Sequence, residues 1–203
     1  MIGWLLVVAG FLCGSIPFGL IVSRLFYRTD IRAAGSGNIG AANALRTLGT
    51  KAGLAVLLLD ALKGAAPTLA TASLAPASVG LVALAAIAGH CYSPWLGWRG
   101  GKGVATYLGA IVAFGWIGPA LFAAVWLAVV LPTGYASLGS MLAVATSGAW
   151  IVVRAWNTPA SAAAMLFAAG SLAIVVWRHR ENTARLRAGT ESKLDLMRRP
   201  RAG

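Results

Sequence analysis

Seven runs of apolar residues, at about 2–24, 52–73, 77–93, 104–117, 118–133, 138–153 and 159–177, leave this chain few ways to fold. A backbone inside hydrocarbon has no water to bond its N–H and C=O groups, so it must close on itself as a helix or a sealed barrel. The pattern excludes the barrel. Ala, Leu and Val come in runs, without the apolar/polar alternation of a lipid-facing strand. The 203 residues are 59% hydrophobic and 11% charged, whereas a water-soluble domain needs roughly 25% charge to cover itself. The expectation is an all-α integral membrane protein with seven transmembrane helices, a single domain over 1–203. Several runs are near or below the ~17–25 residues of a full crossing and predict short or partly embedded helices.

Charge placement orients the spans. Of the 17 Lys and Arg residues, all but Lys63 and Arg154 fall in 24–51, 99–102 and 178–201, which alternate spans put on one side. The positive-inside rule then predicts the N-terminus outside and the C-terminus in the cytoplasm, with segments 28–51, 89–106 and 178–195 on the cytoplasmic face. The first run is not read as a cleavable signal, because no positive charge precedes it and Arg24 and Arg28 follow it. Cys13 and Cys91 are too few for a disulfide framework, and no Cys/His cluster has zinc spacing, so both thiols are expected to pack. A tight turn is predicted at 115–119.

Three polar islands interrupt the apolar runs. The first, 30–46, contains Gly-x-Gly-x-x-Gly at 35–40, but no strand precedes it and no βαβ unit surrounds it, so dinucleotide binding is not expected. Its Gly35, Ser36, Gly37, Asn38 and Asn43 suit a turn whose N–H groups and hydroxyl hold an anion, flanked by Arg32 and Arg46. A loop made basic by topology alone is the competing reading. The second island is Gly89-His90 followed by the glycine loop at 97–106. Gly100, Gly101 and Gly103 around Lys102 expose N–H groups beside an ammonium, which suits a phosphate oxygen. It is not a nucleotide P-loop: Leu96 stands where a glycine is needed and Gly103 where Ser or Thr should follow the lysine. Trp95 and Trp98 read as interfacial belt residues, and His90 equally as a helix-end cap or a base.

The third island begins at Arg178-His179-Arg180. His179 and Asn182, three apart, share a helix face with Arg178 and Arg185 in reach; an amphipathic helix drawn to anionic lipid is the alternative. The tail at 198–201 reads as lipid-attracted or disordered. A chargeless loop at 133–140 supplies the hydroxyls of Ser137 and Ser140, which complete a phosphate site or let helices pack closely. Asp60 and Lys63 lie three apart inside the second run, either a neutralised packing pair or a functional one. The five acidic residues offer no two-metal spacing. Neither histidine has an aspartate five positions on, so the His-x4-Asp signature of soluble-type glycerolipid acyltransferases is missing.

Taken in order, these motifs closely resemble those of the bacterial acyl-phosphate-dependent glycerol-3-phosphate acyltransferases of the PlsY type. The resemblance runs through Gly14-Ser15-Ile16-Pro17, Asp30-Ile31-Arg32, the 35–43 turn, Asp60-Ala61-Leu62-Lys63-Gly64, Gly89-His90, Gly100 to Thr106, and Arg178 to Asn182 with Arg185, Gly189, Glu191 and Lys193. Departures are small: Ala42 replaces the usual threonine, Ser93-Pro94 shifts a proline by one, and Gly134 stands where a basic residue is common. The resemblance implies a multi-pass enzyme of the bacterial inner membrane with its site facing the cytoplasm. It would acylate the 1-hydroxyl of glycerol 3-phosphate from acyl phosphate, yielding lysophosphatidic acid and inorganic phosphate.

Ser36, Lys102, His179 and Asn182 are the expected catalytic residues. Arg32, Gly35, Gly37, Asn38, Asn43, Arg46, His90, Gly100, Gly101, Gly103, Thr106, Ser137, Ser140, Arg178, Arg180 and Lys193 are the expected phosphate and substrate ligands. No metal, cofactor or nucleic-acid partner is expected, and the protein should act as a monomer among membrane lipids. An acyl phosphate already has a good leaving group, so bringing two anions together and stabilising developing charge is most of the task. His179, His90 or the substrate's own phosphate could accept the hydroxyl proton. The rival reading is a small transporter or channel for an anionic solute; against it, charge concentrates in loops.

Overall fold

The computed structural model describes residues 2–194; the tail at 198–201 lies outside them. Among the described residues there are ten α-helices joined by short turns and no β-strand. Five segments are long and apolar enough to cross a membrane: Ile2–Tyr27, Thr50–Leu74, Pro76–Leu96, Ala136–Ala155 and Ser161–Arg178. Two further apolar segments, Val104–Phe114 and Ile117–Thr133, are shorter.

The first apolar run is two helices, α1 (Ile2–Ser15) and α2 (Phe18–Tyr27), broken at Ile16 and Pro17. Pro17 lacks an N–H and its ring crowds the preceding turn, which ends α1. The carbonyls released there find partners from elsewhere: Ser93 Oγ donates to Ser15 O at 2.6 Å and Lys63 Nζ to Ile16 O at 2.7 Å. In α4 (Thr50–Leu74) Pro67 deprives the Lys63 carbonyl of its helical donor, and Cys13 Sγ reaches that oxygen at 3.5 Å. Before α4, the short amphipathic α3 (Ala41–Leu48) lies over its start.

Close helix contacts rest on small residues. A Cβ on Gly14 of α1 would strike the backbone of Ala86 in α5 (Val79–Cys91), and one on Gly89 would strike Phe11. Such contacts replace the hydrophobic drive that lipid cannot supply between helices. α7 (Ile117–Thr133) and α8 (Ala136–Ala155) form a hairpin, and α9 (Ser161–Arg178) packs on α8 and α5 before the chain turns at His179 into α10 (Arg180–Arg187). The core under them is aromatic. The buried Tyr107 ring stacks on Phe167 at 5.7 Å and meets Phe122 at 6.0 Å, with its hydroxyl 2.9 Å from Ser147 Oγ. Trp4, Leu5, Leu58, Trp116 and Val153 point outward where acyl chains would cover them.

The run at 104–117 forms a short helix. α6 (Val104–Ala110) tightens into a 3-10 turn, Ile111–Phe114, and stops. At 1.5 Å per residue it reaches about half of a ~30 Å hydrocarbon core. The stop has a cause: Gly115 takes φ +114°, and Arg154 donates from its guanidinium to the Phe114 carbonyl. The expected tight turn comes at Gly115 and Trp116, and Pro119 sits in the first turn of α7, where no N–H is needed.

Candidate active site

A cavity of about 370 Å³ opens where the three polar islands meet. Ser36, Asn38, Asn43 and Arg46 line it from one side, Lys102 and Gly103 from another, and Ser137, Ser140, His179, Asn182, Arg185, Glu191 and Ser192 close it. Its remaining lining is mostly apolar: Leu57 of α4, Val104, Ala105 and Leu108 of α6, and Phe122, Ala123 and Leu127 of α7. His90 and Asp60 stand at its wall.

The first island is organised by Asn43, which sits in the first turns of α3. Its Nδ2 donates to the carbonyls of Ile31 (3.2 Å), Ala34 (3.0 Å) and Asn38 (2.8 Å), and its Oδ1 accepts from Ser36 N at 2.9 Å. Gly35 and Gly37 adopt φ +59° and +69°, and a Cβ on Gly35 would overlap Asn43 Oδ1. The turn that presents the Ser36 hydroxyl is therefore built by one buried amide and two left-handed residues. Arg46 makes no hydrogen bond or ion pair among the described residues, and burial holds its guanidinium below the usual arginine range. Arg32 is placed differently. Its Nε and Nη2 donate to Asp30 at 2.9 and 2.6 Å, and Arg24 joins the same carboxylate at 2.8 Å. Those hydrogen bonds hold the partly exposed Asp30 carboxyl well below its ordinary range, and Arg32 does not line the cavity.

The glycine loop corrects the expectation of a phosphate nest. Gly100 N donates to Cys91 O at 3.1 Å and Gly101 N to His90 O at 3.0 Å, so neither N–H is free for an anion. Both glycines are there for clearance, since a Cβ on Gly100 would meet the His90 carbonyl and one on Gly101 the His90 ring. Arg178 fastens the other edge, donating from Nε to Gly101 O at 2.9 Å and from Nη2 to Gly100 O at 2.6 Å. What the loop presents to the cavity is Lys102 itself. Burial, ahead of all other causes, brings its ammonium down to about 8. Thr106 is buried beneath the loop and does not line the cavity.

In the third island the side chains form a chain of donors and acceptors. Lys102 Nζ donates to Asn182 Oδ1 at 2.5 Å, and Asn182 Nδ2 donates to Glu191 Oε1 at 2.6 Å. Ser137 Oγ donates to the same Glu191 oxygen at 2.7 Å, and Arg185 Nε to Oε2 at 2.8 Å. Burial alone would raise the Glu191 carboxyl, but the hydrogen bonds from Asn182, Ser137 and Arg185 keep it below the usual range. An ionised Glu191 accepts only, which turns the Asn182 amide so that its oxygen faces Lys102. His179 Nδ1 lies 2.8 Å from Val175 O, an arrangement that puts the proton on Nδ1 and leaves Nε2 as the acceptor. Burial, then the Lys102 charge, brings His179 down to about 4, so the ring is neutral at physiological pH.

Glu191 and Arg185 belong to this site although they were not among the expected ligands. The available signal was that Glu191 is one of only two glutamates, with Glu181, within a strongly basic segment. Two more expected ligands, besides Arg32 and Thr106, point elsewhere. Arg180 is exposed, with its guanidinium 5.1 Å over the Trp177 ring, and Lys193 stands 5.6 Å over the Tyr135 ring. Among the described residues, no three His, Cys, Asp or Glu side chains gather as a metal site would require.

A family model described as glycerol-3-phosphate acyltransferase matches residues 4–189. Glycerol-3-phosphate acyltransferase from Brucella ovis is 43% identical over 187 residues, 92% of this chain and 90% of that protein. The enzyme of the same name from Mesorhizobium japonicum is 43% identical over 190 residues, covering 94% and 95%. The crystal structure of PlsY, an integral membrane glycerol 3-phosphate acyltransferase, in its glycerol 3-phosphate form superposes with a TM-score of 0.87 at 34% identity over 96% of each chain. Its lysophosphatidic acid form gives 0.86 at 33%.

Proposed function

The chain belongs to the glycerol-3-phosphate acyltransferase family, and from that premise we propose that it moves a fatty acyl group from acyl phosphate to the 1-hydroxyl of glycerol 3-phosphate. The products are lysophosphatidic acid and inorganic phosphate. The observation that carries this reading is the mixed lining of the cavity. Arg46, Lys102, Ser36 and Asn182 bring cations and hydrogen-bond donors to it, and α4, α6 and α7 bring apolar walls. Two phosphates and one acyl chain fit such a lining.

The hydroxyl oxygen attacks the carbonyl carbon, the carbon–oxygen bond to phosphate breaks, and the leaving phosphate departs with the electron pair. Lys102 and Arg46 offset the charge that grows on the phosphate oxygens, fixed in place before reaction. His179, neutral with Nε2 free, accepts the hydrogen bond of the attacking hydroxyl and aims it. A ring held near 4 is a weaker base than a phosphate with a second pKa of about 6. The proton therefore passes to substrate phosphate, and His179 orients the hydroxyl.

The same reading sets the protein in the bacterial inner membrane as a monomer, N-terminus outside and C-terminus inside, with the cavity at the cytoplasmic edge. The two short apolar segments then complete the seven passes, the far end of α6 meeting Arg154 at the far end of α8. Purified protein given glycerol 3-phosphate and an acyl phosphate should release phosphate and form lysophosphatidic acid in equal amounts. Acylation from an acyl thioester with none from acyl phosphate would overturn the donor assignment.

A further inference from the structure

The buried charges of α4 take no part in the reaction as derived. Asp60 Oδ1 stands 2.8 Å from Lys63 Nζ and 3.7 Å from His90 Nδ1, and each side chain of the ion pair is 1% exposed. Apolar side chains of similar volume commonly stabilise a buried position as well as an ion pair or better, so packing alone does not explain this one. Two routes lead from the pair to Lys102. Asp60 adjoins the ring of His90, whose carbonyl accepts from Gly101 N at 3.0 Å and whose ring fills the space a Gly101 side chain would need. Gly101 directly precedes Lys102. On the other side, Lys63 holds the Ile16 carbonyl at 2.7 Å, and Gly64 beside it lies against the backbone of Thr106 in the first turn of α6.

We infer that the Asp60–Lys63 pair is a positioning device, which seats His90 under the glycine loop and so sets where Lys102 stands. A bare carboxylate facing substrate phosphate would repel it. Compensated by Lys63, Asp60 acts through the His90 ring. This inference rests on the assignment of Lys102 to substrate phosphate made above.

The test compares Asp60→Asn/Lys63→Met, which removes both charges, with His90→Ala, with the triple variant and with Lys102→Ala. Removing both partners avoids an uncompensated buried charge but leaves Ile16 O without its Lys63 donor, so the double variant should fold with a modest drop in unfolding temperature. Its kcat/KM should nonetheless fall ~10- to 100-fold, the cost of a misplaced ligand. His90→Ala should lose as much, and the triple variant no more than His90→Ala alone, because the pair works through that ring. Recovery of full activity along with stability in the double variant, or losses that multiply in the triple, would overturn the inference. Should the double variant fail to accumulate, His90→Ala decides: folded protein within twofold of parental kcat/KM refutes it. Near-normal kinetics in Lys102→Ala would instead bring down the assignment of Lys102.

Discussion

Replacing Lys102 by methionine keeps most of its volume and removes its charge, and the structure says what that does to activity and to stability separately. In the transition state the ammonium faces growing charge on phosphate; losing one positioned donor of that kind costs about 2.7–4 kcal/mol, or roughly 10²–10³ in rate. Stability moves differently. Burial brings the Lys102 value from 10.5 down to about 8, so the charge opposes folding. At order of magnitude that is about 3 kcal/mol, present in full below about 8 and gone above 10.5. The Lys102→Met protein escapes that cost and leaves Asn182 Oδ1 without its donor, a loss of about 1–3 kcal/mol. The two terms nearly cancel. Thermal unfolding should therefore shift by a few degrees at most while kcat/KM, followed by phosphate release, falls at least a hundredfold. In the parent, kcat/KM should decline as pH rises through about 8, where free Lys102 loses its proton. Lys102→Arg should lack that decline, since a guanidinium stays charged. Folded Lys102→Met protein within threefold of parental kcat/KM, or an unchanged alkaline limb in Lys102→Arg, would refute the reasoning.

Asn182→Ala should lower kcat/KM about 10²-fold, because Lys102 loses its partner and Glu191 one of three donors; turnover and unfolding measured on one preparation check it. His179→Ala should lose a comparable factor, yet any acid limb near pH 6 should persist in its profile, since that limb belongs to substrate phosphate and not to a ring near 4. Gly101→Ala should abolish most activity, because its Cβ runs into the His90 ring, while Gly97→Ala, at φ +58° with open space around it, should cost only ~1 kcal/mol of stability. Arg180→Ala should leave kcat/KM within about twofold, the exposed guanidinium lying over Trp177 away from the cavity; a larger loss in the same assay would bring it back into the site.

The membrane class, the helical state and the identity of the three polar islands were legible in the chain, because hydropathy and glycine content are sums over neighbours. A run of Ala, Leu and Val means helix in hydrocarbon wherever it is placed. Partnership is another matter. Nothing local tells that Arg32 spends its guanidinium on Asp30, that the Gly100 and Gly101 N–H groups turn inward to Cys91 and His90, or that Glu191 orients Asn182. The break at 111–116 that ends α6 depends on Arg154, forty residues on. Composition reports how many donors and acceptors a loop owns. Which of them remain free for a ligand is decided only when packing brings distant groups together, since a buried donor takes the first acceptor the fold offers it.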